Sequence, residues 1–329
     1  MANIMINENC NLSCPYCFAS EFVNIHKSNI SFDNFKKAVA FILSEREDKR
    51  KGRIGIIGGE PLLHPQFDEF IDYLASNERV KHITVYTNGV LLEKHLDSIL
   101  NEKVSLLINI NSPNNIGEDN YNQTENAIRL LIKEHDKRGR ITIGLNIYDN
   151  IDYSFFINLA NKYAFQKVRL SVVVPAYNKE KPGFTHFVAL KESILKITKS
   201  LMVNDIRFGF DCNWPVPCMW NEDEIKDLKL MGLCSTEREL IPLRDCQCQP
   251  VIDILPDLTA IRCFGLSDIS KTPIKDFENI CDLRAHFYKS FDTILSKKTL
   301  RDSCEKCDLF PNRCYGGCLS NRPINLLSI

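Results

Sequence analysis

The feature that most constrains the fold is a unit repeated through about the first 175 residues of the chain. Each unit is a short run of β-branched and aliphatic residues followed by a segment with apolar residues at helical spacing. The predicted strands are 3–7, 54–57, 83–87, 106–111, 141–148 and 168–174. Because parallel strands are joined by right-handed helical crossovers, six such units predict an α/β fold. It is either a partial (β/α)6 barrel of the TIM type or a doubly wound sheet.

The cysteines mark two separate regions of the 329-residue chain. Three of the 14 lie before residue 18, and none follows until Cys212. No secretion signal or long apolar stretch is present, so we expect a cytoplasmic protein with no membrane partner. Reducing conditions there favour metal ligation or catalysis over disulfides. The formal net charge of -1, without a one-sided basic cluster, predicts no nucleic acid partner.

The same patterns predict three parts in chain order. Residues 1–185 form the barrel, residues 186–245 a connecting helical and irregular region, and residues 246–329 a small C-terminal iron–sulfur domain. A helix is predicted from about Phe187 to Val203 in the connecting region. The last part is irregular and dense in cysteine, which is typical of a small domain stabilised by metal rather than by an apolar core.

Immediately after the first predicted strand, Cys10, Cys14 and Cys17 form a C-x3-C-x2-C motif. Three thiolates on one loop can hold three irons of a [4Fe–4S] cluster and leave the fourth iron open to a non-protein ligand. A structural zinc site would need a fourth protein ligand, for which His26 is the nearest candidate. The motif lies at the carboxyl end of a strand, where reactive residues belong in either fold.

This motif resembles the cluster loop of the radical S-adenosylmethionine (SAM) superfamily, in which an aromatic residue, here Phe18, commonly follows the last cysteine. The resemblance implies that the open iron binds the amino and carboxylate groups of SAM. One electron would then cleave the sulfonium and generate a 5′-deoxyadenosyl radical. An external low-potential donor of the flavodoxin or ferredoxin type would supply that electron.

Two later strand ends carry residues similar to other motifs of the superfamily. Gly58, Gly59 and Glu60 belong to a Gly-Gly-Glu-Pro sequence. The resemblance implies that the glycines approach the methionine part of SAM and that the carboxylate orders its amino group. Thr87 and Asn88 begin a Thr-Asn-Gly sequence that resembles the superfamily's turn beside the cofactor.

The fourth and fifth predicted strands supply two further candidates for binding the cofactor. Asn109 stands where relatives often carry a serine that faces the cofactor, and its amide could hydrogen-bond a ribose hydroxyl or the carboxylate. Alternation along the strand places Asn146 at the same end of the barrel. For both, an ordinary structural role at a strand end is the alternative. Tyr148 and Asp211 are candidates for a general base by position only.

The C-terminal cysteines resemble the auxiliary-cluster domain called SPASM, or its shorter form, twitch. The last four cysteines have the spacing C-x2-C-x6-C-x3-C, which is close to the SPASM core C-x2-C-x5-C-x3-C but has one extra residue in the middle. The cysteines that carry the resemblance are Cys246, Cys248, Cys263, Cys304, Cys307, Cys314 and Cys318.

The resemblance leaves three arrangements of these cysteines open. In the interleaved SPASM arrangement Cys248, Cys263 and Cys318 hold one [4Fe–4S] cluster, with Cys246 or another upstream cysteine as fourth ligand, and the cysteines at 304, 307 and 314 hold a second. Because the last cysteine of the full pattern has no counterpart after Cys318, we expect this second cluster to be incomplete, to be completed by a non-cysteine ligand or an earlier cysteine, or to be absent. In the twitch arrangement the cysteines at 246 or 248, 263, 304 and 307 hold a single auxiliary cluster. The third arrangement is a zinc ribbon built from the last two pairs.

Relatives with such a domain mostly modify peptides, so the resemblance implies an oxidoreductase that cross-links a ribosomally made peptide or oxidises one of its side chains. A second hypothesis keeps the radical chemistry but takes a small natural-product intermediate as substrate. It follows from the expectation that no leader-binding domain precedes the first strand. A third hypothesis is a non-catalytic metal-binding protein on a barrel scaffold.

Overall fold

The computed structural model describes residues 2–17, 19–20, 22–44, 52–173, 183–210, 216–224, 226, 234–236, 239–240, 248, 250–299, 301–310, 314 and 316–321. The strands are β1 (Ala2–Met5), β2 (Arg53–Ile57), β3 (His82–Thr87), β4 (Val104–Asn109), β5 (Ile141–Ile147), β6 (Lys167–Val172), β7 (Arg207–Phe210), β8 (Cys234–Thr236), β9 (Glu239–Leu240), β10 (Asp253–Ile254), β11 (Thr259–Ile261) and β12 (Thr272–Pro273). The helices are α1 (Phe32–Ile42), α2 (Phe67–Ser76), α3 (Leu96–Ile99), α4 (Pro113–Ile116), α5 (Glu118–Lys133), α6 (Ser154–Lys162), α7 (Gly183–Val203), α8 (Ser267–Ser270), α9 (Ile280–Phe287) and α10 (Thr293–Leu295).

Ten of these strands form one sheet, in the order β12-β11-β10-β1-β2-β3-β4-β5-β6-β7. Strands β1 to β7 run parallel in chain order, and β10 is parallel to β1 on its other side. Strands β11 and β12 continue antiparallel. This is the partial TIM-type barrel, and the sequence prediction of the α/β class is confirmed. Two of its parallel strands, β7 and β10, were not among the six predicted.

The sheet buries one face under helices and turns the other toward a concave interior. In β3 the residues Ile83 and Val85 are fully buried, whereas the residues that alternate with them are half-buried, namely His82, Thr84 and Tyr86. Helix α1 packs Phe35 against Phe70 of α2, with ring centroids 4.1 Å apart. Each fully buried apolar side chain stabilises the fold by about 1.5–3 kcal/mol. The Ser31 side chain accepts a hydrogen bond from the Asn34 amide and caps the start of α1.

Strand β4 ends earlier than predicted because the residues that follow it begin a helix. The prediction extended this strand to residue 111, but the strand ends at Asn109. The Ser112 side chain accepts a hydrogen bond from the Asn114 amide, and Pro113 occupies the first position of α4. Proline is well suited to that position but cannot donate to a sheet. The chain therefore turns away from the sheet at the mouth of the barrel.

The C-terminal part of the chain is joined to the barrel by strand pairing. Asn3 of β1 lies opposite Asp253 of β10, and its side-chain amide donates a hydrogen bond of 2.6 Å to the buried carboxylate. The predicted division into three parts at residues 185 and 245 stays a prediction. Within the described ranges, no helix is both long enough and apolar enough to span a membrane.

Candidate active site and cysteine clusters

The first three cysteines lie on the loop that leaves the carboxyl end of β1. The Asn24 side chain accepts a hydrogen bond from the Cys10 amide (2.9 Å) and donates one to the Cys10 carbonyl oxygen (3.2 Å). The Leu12 amide donates to the Cys10 sulfur (3.4 Å), and the Cys17 amide donates to the Cys14 carbonyl oxygen (3.1 Å). The loop thus gathers three half-buried thiols within electrostatic range of one another.

Burial governs the charge state of these thiols. It raises the pKa of Cys10 to about 12, with a further contribution from the Glu60 carboxylate, and that of Cys14 to about 11. Burial also raises the pKa of Cys17. The thiolate is the form that binds metal, so metal binding here would release protons and supply the missing positive charge. Three such donors on one loop fit a [4Fe–4S] cluster with one iron left for another ligand.

Gly58 and Gly59 lie directly against the chain that leads into the cysteine loop. A Cβ atom at Gly58 would be 2.0 Å from the Asn7 side-chain oxygen, and one at Gly59 would be 2.4 Å from the Asn9 carbonyl oxygen. The Gly59 amide also donates to the Asn7 carbonyl oxygen (3.0 Å). No other residue fits so close an approach. The glycines therefore seat this turn against the cysteine loop, and their predicted approach to SAM stays a prediction.

Glu60 is a fully buried hub that connects two strand ends. One carboxylate oxygen accepts hydrogen bonds from the Thr87 hydroxyl (2.7 Å) and the Leu62 amide (3.2 Å), and the other accepts one from the Asn88 amide (2.8 Å). Burial raises the pKa of Glu60 to about 7, and these three donors oppose the rise. The Asn88 side chain in turn donates to the Asn11 side chain on the cysteine loop (2.8 Å). Glu60, Thr87 and Asn88 thus form one network at the mouth of the barrel.

Asn109 faces the barrel interior and contacts a cation that was not singled out from the sequence. The Arg169 guanidinium on β6 donates a hydrogen bond of 3.1 Å to the Asn109 side-chain oxygen. Both side chains are half-buried. Asn146 is half-buried on β5, in register with Ser171 of β6. Alternation places Asn109, Asn146 and Arg169 on the concave face, but the spacing of Arg169 alone did not distinguish it from a surface residue.

A pair of stacked tyrosines covers one side of the cysteine loop. The rings of Tyr16 and Tyr148 lie 4.5 Å apart, nearly parallel. The Tyr16 hydroxyl donates to the Asn111 side-chain oxygen, which lies 3.7 Å from the Cys14 sulfur. The Asn115 side-chain amide donates to the Tyr148 hydroxyl (2.7 Å). Burial raises the pKa of both tyrosines, so both hydroxyls stay protonated at neutral pH.

A second group of cysteines forms where the C-terminal segments meet. The Cys318 thiol hydrogen-bonds Cys248, and Cys263 lies within electrostatic range of both. The hydrogen bond from Cys318 and the positive charge of Arg262 lower the pKa of Cys248, whereas the pKa values of Cys318 and Cys263 are raised. These are the three cysteines that the interleaved arrangement assigns to one cluster. Arg262 was not singled out from the sequence, although a charged residue in the apolar run before Cys263 is a signal for it.

The remaining motif cysteines lie on the last described segments. Cys304 is buried in a short 3-10 helix (Asp302–Lys306), and Cys307 and Cys314 are half-buried. The Gly316 amide donates a hydrogen bond of 3.4 Å to the Cys314 sulfur. No group of three or more His, Cys, Asp or Glu side chains in the described part of the chain is arranged to hold a single metal ion.

Three predicted residues lie outside the described residues. They are Phe18, proposed beside SAM, Cys246, proposed as a cluster ligand, and Asp211, a positional candidate for a general base. Their predicted roles stay predictions.

Residues 4–160 match the sequence model of the Radical SAM superfamily. Among curated proteins, a probable GTP 3′,8-cyclase of Methanococcus maripaludis is 38% identical over 96 residues, which are 29% of this chain and 31% of that protein. A GTP 3′,8-cyclase of Alkaliphilus oremlandii is 24% identical over 201 residues, 58% of this chain and 61% of that protein. The chain thus spans less than two thirds of the length of each of these relatives.

Among solved structures, the fold is similar to that of Streptococcus suis SuiB. The structure of SuiB bound to S-adenosylmethionine superposes with a TM-score of 0.63 at 14% identity, covering 97% of this chain and 73% of SuiB. The structure bound to the precursor peptide SuiA gives the same TM-score and covers 72% of SuiB. The matched region contains the cysteine loop and the network around Glu60. Residues 4–160 therefore form a radical SAM domain, and the cofactors of that superfamily are a [4Fe–4S] cluster and S-adenosylmethionine.

Proposed function

We propose that this radical SAM enzyme matures a peptide by abstracting a hydrogen atom from it and then oxidising or cross-linking it. The observation that carries the proposal is the second cysteine group, which consists of Cys248, Cys263 and Cys318. The group lies beside the hairpin of β10 and β11, and β10 extends the barrel sheet. SuiB, which shares the fold, has been solved with its precursor peptide, and this supports a peptide as the substrate class.

The residues of the first loop have a defined task in this reaction. When bound, the cluster and SAM supply a 5′-deoxyadenosyl radical that abstracts hydrogen from carbon. Cys10, Cys14 and Cys17 would hold three of the irons, while Asn24 fixes the backbone around Cys10. A primary carbon radical reacts with almost any nearby C–H bond, so the site must exclude water and hold its substrate still.

We further propose that the concave interior orients the carboxylate of SAM or of the substrate. Arg169 carries a permanent positive charge and a planar set of donors, which suits carboxylate recognition. Asn109 accepts one of those donors and fixes the position of the guanidinium. Gly144 leaves room for it, because a Cβ atom there would be 3.2 Å from the Asn109 oxygen and 3.4 Å from Arg169 Cδ. Glu60 acts at the rim by holding Thr87 and Asn88 in place.

The C-terminal cysteines are proposed to hold auxiliary clusters in the interleaved SPASM arrangement. The contact between Cys248 and Cys318 favours this arrangement over the twitch form, which does not use Cys318. In the twitch form Cys304 and Cys307 join Cys263 and either Cys246 or Cys248. Cys246 is the proposed fourth ligand. The group formed by Cys304, Cys307 and Cys314 is proposed to hold a second cluster.

The proposal is tested by counting iron and sulfide after anaerobic reconstitution and by measuring 5′-deoxyadenosine released from SAM with a reductant. Two auxiliary clusters predict ~12 Fe per chain, falling to ~8 when Cys10, Cys14 and Cys17 are replaced by Ala, and one predicts ~8 falling to ~4. Release of 5′-deoxyadenosine should disappear in this triple variant. Zinc in place of iron, or no 5′-deoxyadenosine from the wild type, would refute the radical chemistry proposed here.

A small molecule is the alternative substrate class, and the GTP 3′,8-cyclases among the curated relatives favour it. The two hypotheses differ in which substrate accelerates cleavage of SAM. Each candidate nucleotide or peptide is prepared with deuterium in place of its carbon-bound hydrogen. It is then incubated with reconstituted enzyme and unlabelled SAM. Deuterium appearing in 5′-deoxyadenosine from a nucleotide but from no candidate peptide would replace the peptide proposal.

A further inference from the structure

Arg262 is a buried cation placed between two of the C-terminal cysteines. It directly precedes Cys263 and is only 1% exposed. Its Nη2 donates a hydrogen bond of 2.9 Å to the Cys248 carbonyl oxygen, and its Nη1 lies 3.7 Å from the Cys263 sulfur. Its Nε and the same Nη2 make a two-point ion pair with Asp292, with distances of 2.8 and 3.0 Å. The guanidinium thus contacts the carboxylate and the Cys248 backbone through a shared nitrogen, and its Nη1 faces the Cys263 sulfur.

The stability of the fold does not account for this arrangement. Removing two charges from water costs several kcal/mol per ion, and well-packed apolar residues in place of such a pair are often equally stabilising. Asp292 is itself buried and closes a π-helical turn (Tyr288–Asp292), a feature found often at functional sites. The Arg262 amide and the Ser270 hydroxyl hold the backbone in register (3.0 Å), so the backbone is fixed without the guanidinium.

We propose that Arg262 raises the reduction potential of the auxiliary cluster held by Cys248, Cys263 and Cys318, by presenting a permanent positive charge to two of its ligands. The inference rests on the auxiliary cluster of the proposed function and deepens it. In this proposal Arg262 does not bind the cluster itself but acts through its ligands, and so sets the electron affinity of the cluster.

The direction of the effect follows from charge. Reduction adds an electron to the cluster and its thiolates, so a nearby cation and an N–H donor to sulfur both stabilise the reduced form. Both act strongly in an interior that water screens poorly. The Asp292 carboxylate pairs with the guanidinium and offsets part of its charge. Removing Arg262 should therefore lower the potential, whereas removing the charge of Asp292 should raise it.

The test is a potentiometric titration of the full-length reconstituted chain, followed by electron paramagnetic resonance. The three cysteines of the first loop are replaced by Ala so that only auxiliary clusters contribute. The signal lost in Cys263→Ala identifies the cluster under test. In Arg262→Gln we expect the ratio of reduced to oxidised cluster at a fixed applied potential to fall at least tenfold. This corresponds to a reduction potential that is lower by about 59 mV for a one-electron couple. In Asp292→Asn we expect a shift of opposite sign.

A matched control separates this effect from surface charge. Lys289 is exposed on the same π-helical turn as Asp292, and Lys289→Gln should leave the potential unchanged because solvent and salt screen it. Shifts of the same sign in Arg262→Gln and Asp292→Asn, or no shift in either with iron retained, would overturn the proposal. If Arg262→Gln loses its iron, Asp292→Asn decides alone, and iron loss in both assigns the pair a structural role instead.

Failure of the underlying proposed function gives a different result. In that case the background protein, with Arg262 intact, contains no iron bound by the C-terminal cysteines. The iron count before any titration therefore tests the auxiliary cluster, and the two opposite shifts test Arg262.

Discussion

The two cysteine groups of this protein differ in the charge that surrounds them. In the first loop burial raises the pKa of Cys10, and the Glu60 carboxylate and the other two cysteines raise it further. In the C-terminal group the hydrogen bond from Cys318 and the charge of Arg262 lower the pKa of Cys248, whereas burial raises the pKa of Cys263. The C-terminal group thus has a buried guanidinium beside two of its cysteines, whereas the charged neighbour that acts on Cys10 is a carboxylate.

The difference is instructive because the charge around a cluster helps to set its potential. Negative surroundings favour a strongly reducing cluster, which is what reductive cleavage of SAM requires. Positive surroundings favour a cluster that accepts electrons, which suits oxidation of a substrate. Under the proposed function, one cluster would donate an electron to SAM and the other would accept electrons from the substrate, although cysteine residues would hold both.

The largest expected effect comes from removing one ligand in each group. Cys17→Ala should abolish release of 5′-deoxyadenosine, whereas Cys263→Ala should retain it at a reduced level, because only the first loop contacts the cluster that SAM binds. Activity is measured with dithionite after reconstitution. The exposed Cys281 provides the control, since Cys281→Ala should change neither iron content nor activity. Equal losses of 5′-deoxyadenosine release in Cys17→Ala and Cys263→Ala would contradict a functional difference between the two groups.

The second prediction concerns Asp253, which lies near the C-terminal group and is fully buried. Burial raises its pKa to about 7, while the hydrogen bond from Asn3 opposes the rise. A carboxyl with a raised folded pKa stabilises the fold fully below its unfolded pKa, and this stabilisation is lost as pH rises through about 7. Relative to Asp253→Asn, the wild-type free energy of unfolding should fall by up to about 4 kcal/mol between pH 4 and 8.

Urea unfolding of both proteins across this range measures the difference. The variant keeps an acceptor for the Asn3 amide and gains a donor toward the Asn3 oxygen, which has no hydrogen-bond partner among the described residues. Parallel pH profiles for the two proteins would show that Asp253 is ionised when folded.

The third prediction tests the packing of the first loop. Gly59→Ala should lower the free energy of unfolding by about 1–3 kcal/mol and weaken cluster assembly, because its Cβ would be 2.4 Å from the Asn9 carbonyl oxygen. Gly139→Ala is the matched control, since no atom lies within 4 Å of a Cβ built there. Thermal unfolding and iron content are compared for both. Two variants of equal stability would mean that the loop relaxes away from the clash.

The smallest effect is expected at the tyrosine pair. Tyr148→Phe removes the hydrogen bond from Asn115 but keeps the stack on Tyr16, so the free energy of unfolding should fall by about 1 kcal/mol at most. Tyr148→Ala removes the stack as well and should cost more. Denaturant titrations compare the two variants. A cost for Tyr148→Phe as large as that for Tyr148→Ala would show that polar contacts, rather than stacking, order this side of the loop.

Much of the barrel follows from the sequence because its signals are local. The strand predicted at 54–57 corresponds to Arg53–Ile57, and that predicted at 83–87 corresponds to His82–Thr87. Alternation, helical spacing and the Ser31 cap act over a few residues, so a single sequence reveals them. The three cysteines of the first loop also follow from spacing alone, since one loop carries all of them.

The tertiary structure decided which distant residues meet. Strand β10 joins β1 across 250 residues of chain, and a two-residue strand is too short to show a pattern. The role of Glu60 as a hub depends on Thr87 and Asn88 returning to it from the next strand. In the sequence Arg262 looks like an ordinary charged residue. The structure shows that it is buried between Asp292 and Cys263. The sequence identified the candidate ligands, and the fold determined the charges around them, because electrostatic interactions depend on distance in space rather than along the chain.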